Sequence, residues 1–189
     1  MCSTPFFYAD PAIYVMMLLQ SGGTLVPMRR FTVSRYWDIV SKFGITKIHS
    51  IASIPVLVVK APPHPLERQH RVHHATCAAL PHTLHRLLVD RFGFPWLDNY
   101  GATETGMMCR VPWHMRDEMI GSGSLGVANP EVELRIIDEE GRDVADGVQG
   151  EWKAASFLRL GTAAGLKPTR RDLDFTAREP TGAGYATVE

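Results

Sequence analysis

The residues best suited to chemistry form one short polar string at positions 99–106, Asn-Tyr-Gly-Ala-Thr-Glu-Thr-Gly. Tyr100 offers a flat aromatic face for a nucleotide base, and Gly101 lets the backbone approach a ligand closely. Thr103 can donate its hydroxyl to a phosphate, and Glu104 can hold a hard cation through oxygen. These residue types suit a nucleotide and its metal ion, although a polar turn around a buried tyrosine would have the same composition.

The string sits where a predicted strand ends and a loop begins, the edge at which open α/β sheets bind ligands. Apolar spacing predicts, in chain order, a helix at 11–22, a short buried strand at 23–27, a helix ending at Gly44, a strand at 46–51, a basic helix at 66–76, a helix from Pro81 to Gly93, and strands at 94–97 and 131–137. The first helix is so apolar that it should be buried on most sides. A hairpin partner for the last strand is expected near residues 150–152. This order predicts an α/β fold with a layered sheet.

The pattern decays after about residue 152, so we predict a domain at 1–152 and an irregular tail at 153–189. The tail is rich in Gly, Ala, Thr, Pro and Arg, with few apolar residues and no periodicity. Two explanations stay open for its abrupt start: a genuine divergent end, or translation out of frame. Detection of native peptides from residues 160–189 would exclude the second.

Composition limits the function classes. The chain of 189 residues is 45% hydrophobic and 21% charged with zero net charge, typical of a foldable domain. No Lys/Arg run is dense enough for a nucleic-acid surface, and no apolar run is long enough to span a bilayer. The three cysteines, Cys2, Cys77 and Cys109, form no CxxC pair, which favours a reducing compartment and a cytoplasmic location. The oligomeric state cannot be inferred.

Two other motifs have weaker interpretations. Residues 121–126 spell GxGxxG, but a dinucleotide fingerprint follows a strand and opens a helix, whereas this string precedes a predicted strand. A flexible turn is the better interpretation. His70, His73, His74 and Cys77 have helical spacing that could gather zinc ligands, although no second ligand pair at finger spacing accompanies them. Histidines on an amphipathic helix explain them more simply.

The motifs together resemble the adenylate-forming superfamily, which includes acyl-CoA synthetases, firefly luciferase and the adenylation domains of peptide synthetases. Matching phrases are the Tyr-Gly-x-Thr-Glu signature at 100–104, the Arg-Phe-Gly at 91–93, the Gly-rich turn at 121–126, the strand at 130–138 and the closing Gly-Glu at 147–151. The resemblance covers residues 5–151 and implies a fragment of the large N-terminal domain. Residues 30–37 look most like the crotonobetaine/carnitine–CoA ligase branch.

The resemblance implies roles for individual residues. Four consecutive residues would flank the adenine of ATP or AMP: Asp98, Asn99, Tyr100 and Gly101. Thr103 would contact the α-phosphate and Glu104 the magnesium ion, which makes these two the candidate catalytic residues.

Two further segments have roles by the same resemblance. Ala78, Ala79 and Pro81 would belong to a turn whose backbone faces the adenine and the acyl group. An alanine stands where the family usually has glycine, so we expect close backbone approach to be impeded there. Tyr8 would lie beside the channel for the acyl group and the pantetheine of coenzyme A.

The implied function is activation of a small-molecule carboxylic acid by ATP as an acyl-AMP, followed by transfer to coenzyme A. The sequence shows no Ser/Thr/Gly-rich phosphate loop with a lysine, no Thr-Gly-Asp after residue 151, and no small domain with a catalytic lysine. We therefore expect this chain to be inactive alone. The alternatives are a non-catalytic nucleotide-binding or interaction module, and a non-functional truncated gene product.

Overall fold

A five-stranded mixed sheet organises the part of the chain that contains the polar string. The computed structural model describes residues 1–51, 53–102, 106–130, 132–158, 169–171 and 176–177. The strands, in spatial order, are β1 (Lys47–Ile51), β2 (His74–Ala78), β3 (Trp96–Ala102), β4 (Gly106–Arg110) and β5 (Val127–Ala128). The first three run parallel, and β4 and β5 are antiparallel additions. The predicted α/β sheet is confirmed.

Two short segments extend this sheet beyond β1. Cys2 bridges in parallel to His49 of β1 on one side and to Pro27 on the other. Hydrogen bonds from the Cys2 N–H to the Val26 carbonyl (3.1 Å) and from the Met28 N–H to the Cys2 carbonyl (3.0 Å) hold the outer segment. The predicted buried strand at 23–27 is therefore wrong, because that segment is an edge with a single bridge and is mostly exposed.

One face of the sheet carries the apolar core. Helices α2 (Tyr36–Lys42), α3 (Ser53–Lys60) and α4 (His82–Phe92) pack there against alternate strand residues such as Ile48, Ala75 and Cys77. The largest fully buried aromatic side chains of this core are Tyr36, Phe92 and Trp96. The predicted helix from Pro81 to Gly93 is confirmed, with Gly93 in the left-handed conformation typical of a helix end.

The opposite face is covered by α1 (Ala9–Ser21) through polar contacts. The Tyr14 hydroxyl lies 3.0 Å from Thr76 Oγ1 and 3.2 Å from His49 Nδ1, and Asp10 Oδ1 lies 3.3 Å from His49 Nε2. Of the α1 residues only Pro11 is buried. Met16 and Leu19 are 61% and 75% exposed, so the expectation of a helix buried on most sides is wrong. No helix among the described residues has the length and apolarity to cross a membrane.

The predicted basic helix at 66–76 is also wrong. Residues 65–70 form turns, stabilised by hydrogen bonds from Glu67 N–H to the His64 carbonyl and from Gln69 N–H to the Leu66 carbonyl. Strand β2 begins at His74, in register with Lys47 of β1. Pairing with strands on both sides overrides the local helical spacing of the histidines. A zinc-binding helix face therefore does not exist here.

A second sheet follows the first. Strands β6 (Val132–Ile137) and β7 (Glu151–Leu158) form the predicted hairpin, with Ile136 opposite Trp152. Strand β7 crosses the predicted boundary at residue 152, and β8 (Thr169–Arg171) and β9 (Thr176–Ala177) pair with it. Strand pairing uses backbone groups and needs no apolar periodicity. The division into a domain at 1–152 and an irregular tail at 153–189 stays a prediction. The rest of the predicted tail lies outside the described residues.

Candidate functional site

The polar string starts inside a strand rather than in a loop. Strand β3 runs to Ala102, so Asp98, Asn99, Tyr100 and Gly101 all belong to it. Pairing with β4 extends β3 past Leu97, where the sequence predicts the strand to end. The parallel register sets Cys77 opposite Asp98 and Ala78 opposite Asn99. The turn at 78–81 therefore lies beside the string at the carboxyl edge of β2 and β3. Thr103 and Glu104, the candidate catalytic residues, lie outside the described residues.

The turn after β2 contains an alanine in a strained conformation. Ala79 has φ 57°, and it is the one non-glycine residue with positive φ among those that the structure describes. A left-handed conformation costs an L-residue about 1–2 kcal/mol, and glycine avoids this cost. The backbone at Ala79 therefore has a conformation that glycine would adopt without strain.

Replacing Ala79 with glycine should stabilise the fold. Relief of the left-handed strain outweighs the extra freedom of glycine in the unfolded chain, so we expect the free energy of unfolding to rise by about 0.5–1 kcal/mol. The matched control is Ala78→Gly, at the adjacent residue in β2, which should lower the free energy of unfolding by about 0.5–1 kcal/mol. Urea unfolding measures both. Equal destabilisation by the two substitutions would contradict the strain at Ala79.

Asp98 fixes this turn to β3. Its Oδ1 accepts hydrogen bonds from the Leu80 N–H (3.3 Å) and from the Asn99 N–H (2.8 Å). The residue is only 7% exposed, and burial raises its pKa to about 6 in spite of these bonds. Asp98 thus acts on the site through the backbone that it positions.

The raised pKa of Asp98 predicts a pH-dependent stability. Because the folded-state pKa lies above the ordinary value of 3.8, the carboxyl group favours folding when protonated, and this contribution is lost as pH rises from 3.8 through about 6. Asp98→Asn keeps the accepting oxygen and removes the titration. We expect the free energy of unfolding of the variant, relative to that of the wild type, to rise by up to about 3 kcal/mol between pH 4 and pH 7.

Urea unfolding at the two pH values tests this, with the exposed Asp117→Asn as the control. The account of Asp98 fails if the difference between wild type and Asp98→Asn is the same at pH 4 and pH 7.

Gly101 is required by the close approach of β4. The strand pair shifts register between Tyr100 and Gly101, and a Cβ on Gly101 would lie 2.5 Å from the Gly106 carbonyl oxygen and 3.1 Å from the Met107 Cα. The sequence suggested that this glycine admits a ligand. Contact with the neighbouring strand is a sufficient reason for glycine at this position.

The Gly-rich turn at 121–126 packs on the start of α4. The Gly121 N–H donates to His85 Nδ1 (3.1 Å), and burial lowers the pKa of this histidine, so the ring stays neutral and can accept. A Cβ on Gly126 would lie against the Arg110 carbonyl of β4. Strand β5 follows instead of a helix. The prediction of a turn at these residues is confirmed.

Tyr8 lies at the same edge of the sheet. Residues 1–3 run parallel to β1, so the segment that follows them emerges at the carboxyl edge. Tyr8 is 43% exposed, and its ring is 4.9 Å from the ring of Phe7. The bridge at Cys2, six residues earlier in the chain, lies two strand positions from β2, about 10 Å at the usual strand spacing. Its predicted channel role stays a prediction.

Sequence reasoning missed the polar contacts under α1. His49, Tyr14 and Thr76 meet within 3.0–3.2 Å of one another. A histidine in the middle of the strand predicted at 46–51 was the available signal. Among the described residues, no group of three or more His, Cys, Asp or Glu side chains is placed to hold a metal ion. Glu104, the proposed magnesium ligand, lies outside the described residues.

Comparison with known sequences gives consistent matches. A model of the AMP-binding enzyme family matches residues 1–153. Isopenicillin N epimerase component 1 of Hapsidospora chrysogena is 28% identical over 191 residues, covering 96% of this chain and 29% of that protein. Human long-chain fatty acid transport protein 1 is 33% identical over 122 residues, 64% of this chain and 18% of its own length. Sulfoacetate–CoA ligase of Cupriavidus necator is 27% identical over 135 residues, covering 70% of this chain and 26% of that protein.

Solved structures share the fold. The luciferase-like enzyme from the mealworm Zophobas morio superimposes with a TM-score of 0.72 at 16% identity, over 82% of this chain and 38% of that one. O-succinylbenzoate coenzyme A synthetase from Bacillus subtilis, in complex with AMP, superimposes with a TM-score of 0.67 at 20% identity, over 82% of this chain and 31% of that one. This chain spans less than a third of the length of the three sequence relatives.

Proposed function

Because the chain belongs to the AMP-binding enzyme family, we propose that the carboxyl edge of β2 and β3 binds the AMP portion of an acyl adenylate. The observation that carries this proposal is the position of the left-handed Ala79 turn directly beside residues 98–101. Asp98 locks the two segments together through backbone hydrogen bonds. A fixed backbone edge next to a half-buried aromatic ring suits a flat, polar base.

Each segment has a distinct part in this proposal. Tyr100 presents its ring to the adenine, and Asn99, only 5% exposed, contributes to the wall beside it. The backbone of residues 78–81 forms the opposite side of the site, while Asp98 and Gly101 keep the strands in place. Thr103 contacts the α-phosphate, and Glu104 holds the magnesium ion that neutralises phosphate charge. The roles of Thr103 and Glu104 rest on the family signature.

The wider reaction follows from the family. We infer that the chain is part of an AMP-forming acid–CoA ligase, with a carboxylic acid, ATP and coenzyme A as reactants and a cytoplasmic location. Tyr8, at the same sheet edge, lies beside the acyl and pantetheine channel. Membership of the crotonobetaine/carnitine–CoA ligase branch stays a prediction.

We expect no ligase activity from the isolated chain. No phosphate loop with a lysine is present in the sequence, so the β- and γ-phosphates of ATP lack their positive partner. Acid-dependent AMP formation by the purified protein above background would contradict this expectation. Two alternatives stay open: a nucleotide-binding or interaction module, and a truncated product without function.

Calorimetric titration with AMP and magnesium tests the proposed site. We expect saturable binding that Tyr100→Ala weakens about tenfold, since stacking of a base on an aromatic ring contributes about 1–3 kcal/mol. Phe43→Ala removes a ring that is 54% exposed at the end of α2 and should leave the affinity unchanged. Glu104→Gln should abolish the dependence of the AMP affinity on magnesium. The control is Glu118→Gln, at an exposed position.

Three outcomes bear on the functional hypotheses. Saturable AMP binding without acid-dependent AMP formation is expected both of an inactive ligase fragment and of a nucleotide-binding module, and it would argue against the truncated product. Absence of AMP binding by a folded, soluble chain would contradict the proposed site. Insolubility with no binding would favour the truncated product.

A further inference from the structure

A basic pocket lies at the sheet edge opposite the proposed nucleotide site. It has a volume of about 510 Å³ and is lined by Arg68, His70, Arg71, Val72, His73, Phe92 and Gly93. These residues precede the first residue of β2 or lie at the carboxyl end of α4. The five residues of β2 separate the pocket from the turn at 78–81, a distance of about 17 Å along the strand. The pocket is therefore distinct from the nucleotide site.

Two of its side chains are held in place by the end of α4. Arg68 Nη1 donates to the Asp90 carbonyl (3.0 Å), and His70 Nε2 lies 3.0 Å from the Phe92 carbonyl. His70 Nδ1 accepts the Val72 N–H (3.2 Å), so the neutral ring with a proton on Nε2 satisfies both contacts. The ring also stacks on Trp37 at 5.8 Å. These two contacts engage the Asp90 and Phe92 carbonyls, and the arginine charge offsets the negative end of the α4 dipole there.

The positive charge of the pocket has no acidic partner among the described residues. Neither Arg68 nor Arg71 forms an ion pair there. Glu67 is paired with Arg91, and Asp38 lies 3.7 Å from His64. The exposed Asp90, whose carbonyl accepts a hydrogen bond from Arg68, forms no ion pair among the described residues. The charge is also regional, because residues 1–97 carry ten Lys/Arg against four Asp/Glu. A concave surface with two unneutralised guanidinium groups concentrates anions.

We propose that this pocket binds the phosphate group of a phosphorylated small molecule. Guanidinium groups present paired donors that match phosphate oxygens, and His73 adds a third polar side chain. Arg68 retains donors beyond the one used by Asp90, and Arg71 supplies a whole guanidinium group. The apolar floor of Val72 and Phe92, both buried, lies beneath these polar groups. This proposal is independent of the nucleotide site.

Inorganic pyrophosphate is the probe for the test, used in calorimetric titration of the full chain. We expect saturable binding with one site in this pocket, weakened at least tenfold by Arg71→Gln, because the substitution removes charged hydrogen-bond donors to the phosphate. Arg71 has no partner among the described residues, so the variant should fold normally, which circular dichroism checks. Arg86→Gln removes an exposed arginine from α4 outside the pocket and should leave the affinity unchanged.

A competition experiment distinguishes the two sites. Saturating AMP should not displace pyrophosphate from this pocket, and Tyr100→Ala should bind pyrophosphate like the wild type. The proposal is overturned if folded protein shows no saturable pyrophosphate binding, or if Arg86→Gln weakens binding as much as Arg71→Gln. It is also overturned if AMP displaces the pyrophosphate and Arg71→Gln has no effect, since binding would then be at the nucleotide site.

Discussion

Replacement of Arg91 with methionine is expected to lower the free energy of unfolding by about 3 kcal/mol or more. Arg91 Nη2 lies 2.8 Å from Glu67 Oε2, its Nε donates to Oε1 (3.3 Å), and its Nη1 donates to the Val59 carbonyl (2.6 Å). The two side chains are only 17% and 13% exposed. Removing one partner of a buried ion pair costs about 3–5 kcal/mol, and because this pair is partly buried we expect a loss at the lower end of that range.

The position of Arg91 explains why the loss should be large. The residue is on α4, Val59 is on α3, and Glu67 belongs to the connection between α3 and β2, so one guanidinium group joins three segments. Hydrogen bonding to Arg91 also holds the pKa of Glu67 below its ordinary value. The depressed pKa means that this stabilisation is present above about pH 4.5 and is lost as pH falls further.

Urea unfolding of Arg91→Met at pH 7 and below pH 4 tests this. The deficit relative to the wild type should be largest at pH 7 and smaller in acid. Arg86→Met, an exposed arginine on the same helix, should change stability by less than about 0.5 kcal/mol. Arg91→Lys keeps the charge but loses the paired geometry, so it should recover only part of the loss. Equal stability of Arg91→Met and Arg86→Met would contradict the buried pair.

Replacement of Gly101 with alanine is expected to cost about 1–3 kcal/mol and to distort the proposed site. The added Cβ would lie 2.5 Å from the Gly106 carbonyl oxygen, a backbone atom that cannot move without shifting β4. Insertion of one methyl group into such a packed position carries that cost. Because Gly101 belongs to the same strand as Asn99 and Tyr100, AMP affinity should fall together with stability.

The matched control for this substitution is Gly141→Ala. Gly141 has φ 79° but no atom near the position of an added Cβ, so its substitution costs only the left-handed strain, about 1–2 kcal/mol. It should also leave AMP affinity unchanged, since it lies in the turn after β6. Urea unfolding and AMP titration of both variants give the comparison. Wild-type AMP affinity in Gly101→Ala would contradict the required close approach of β3 and β4 at the site.

Local signals predicted much of the fold correctly. Helix α4 begins after Pro81 and ends at Gly93, as predicted. The alternation at 131–137 predicted β6 and its partner near Trp152. Proline fixes its own φ, and glycine adopts the left-handed conformation at a helix end without strain, so their effects can be read without knowledge of tertiary contacts. The same applies to the turn at 121–126.

Features that depend on neighbours could not be predicted. His74 to Ala78 form a strand because β1 and β3 lie on both sides, although the histidine spacing before them is helical. The composition of α1 indicated burial, but nothing in the described residues covers its outer face, and Leu19 is 75% exposed.

The site was predicted by residue type more than by geometry. The string containing Tyr100 was found directly, because its residues suit a nucleotide. The buried bonds from Asp98 to the Leu80 and Asn99 amides depend on the register of β2 and β3, and the φ of Ala79 depends on that same turn. Neither can be deduced from residue identity alone.

The most direct test of the central claim is an AMP titration of the isotopically labelled protein, followed by backbone amide NMR spectra. AMP should shift the amide signals of residues 78–80 and 98–101 in a saturable manner. The signals of β6, at residues 132–137, should stay unchanged. Saturable shifts confined to other parts of the chain, or no shifts in a folded protein at millimolar AMP, would contradict a nucleotide site at the carboxyl edge of β2 and β3.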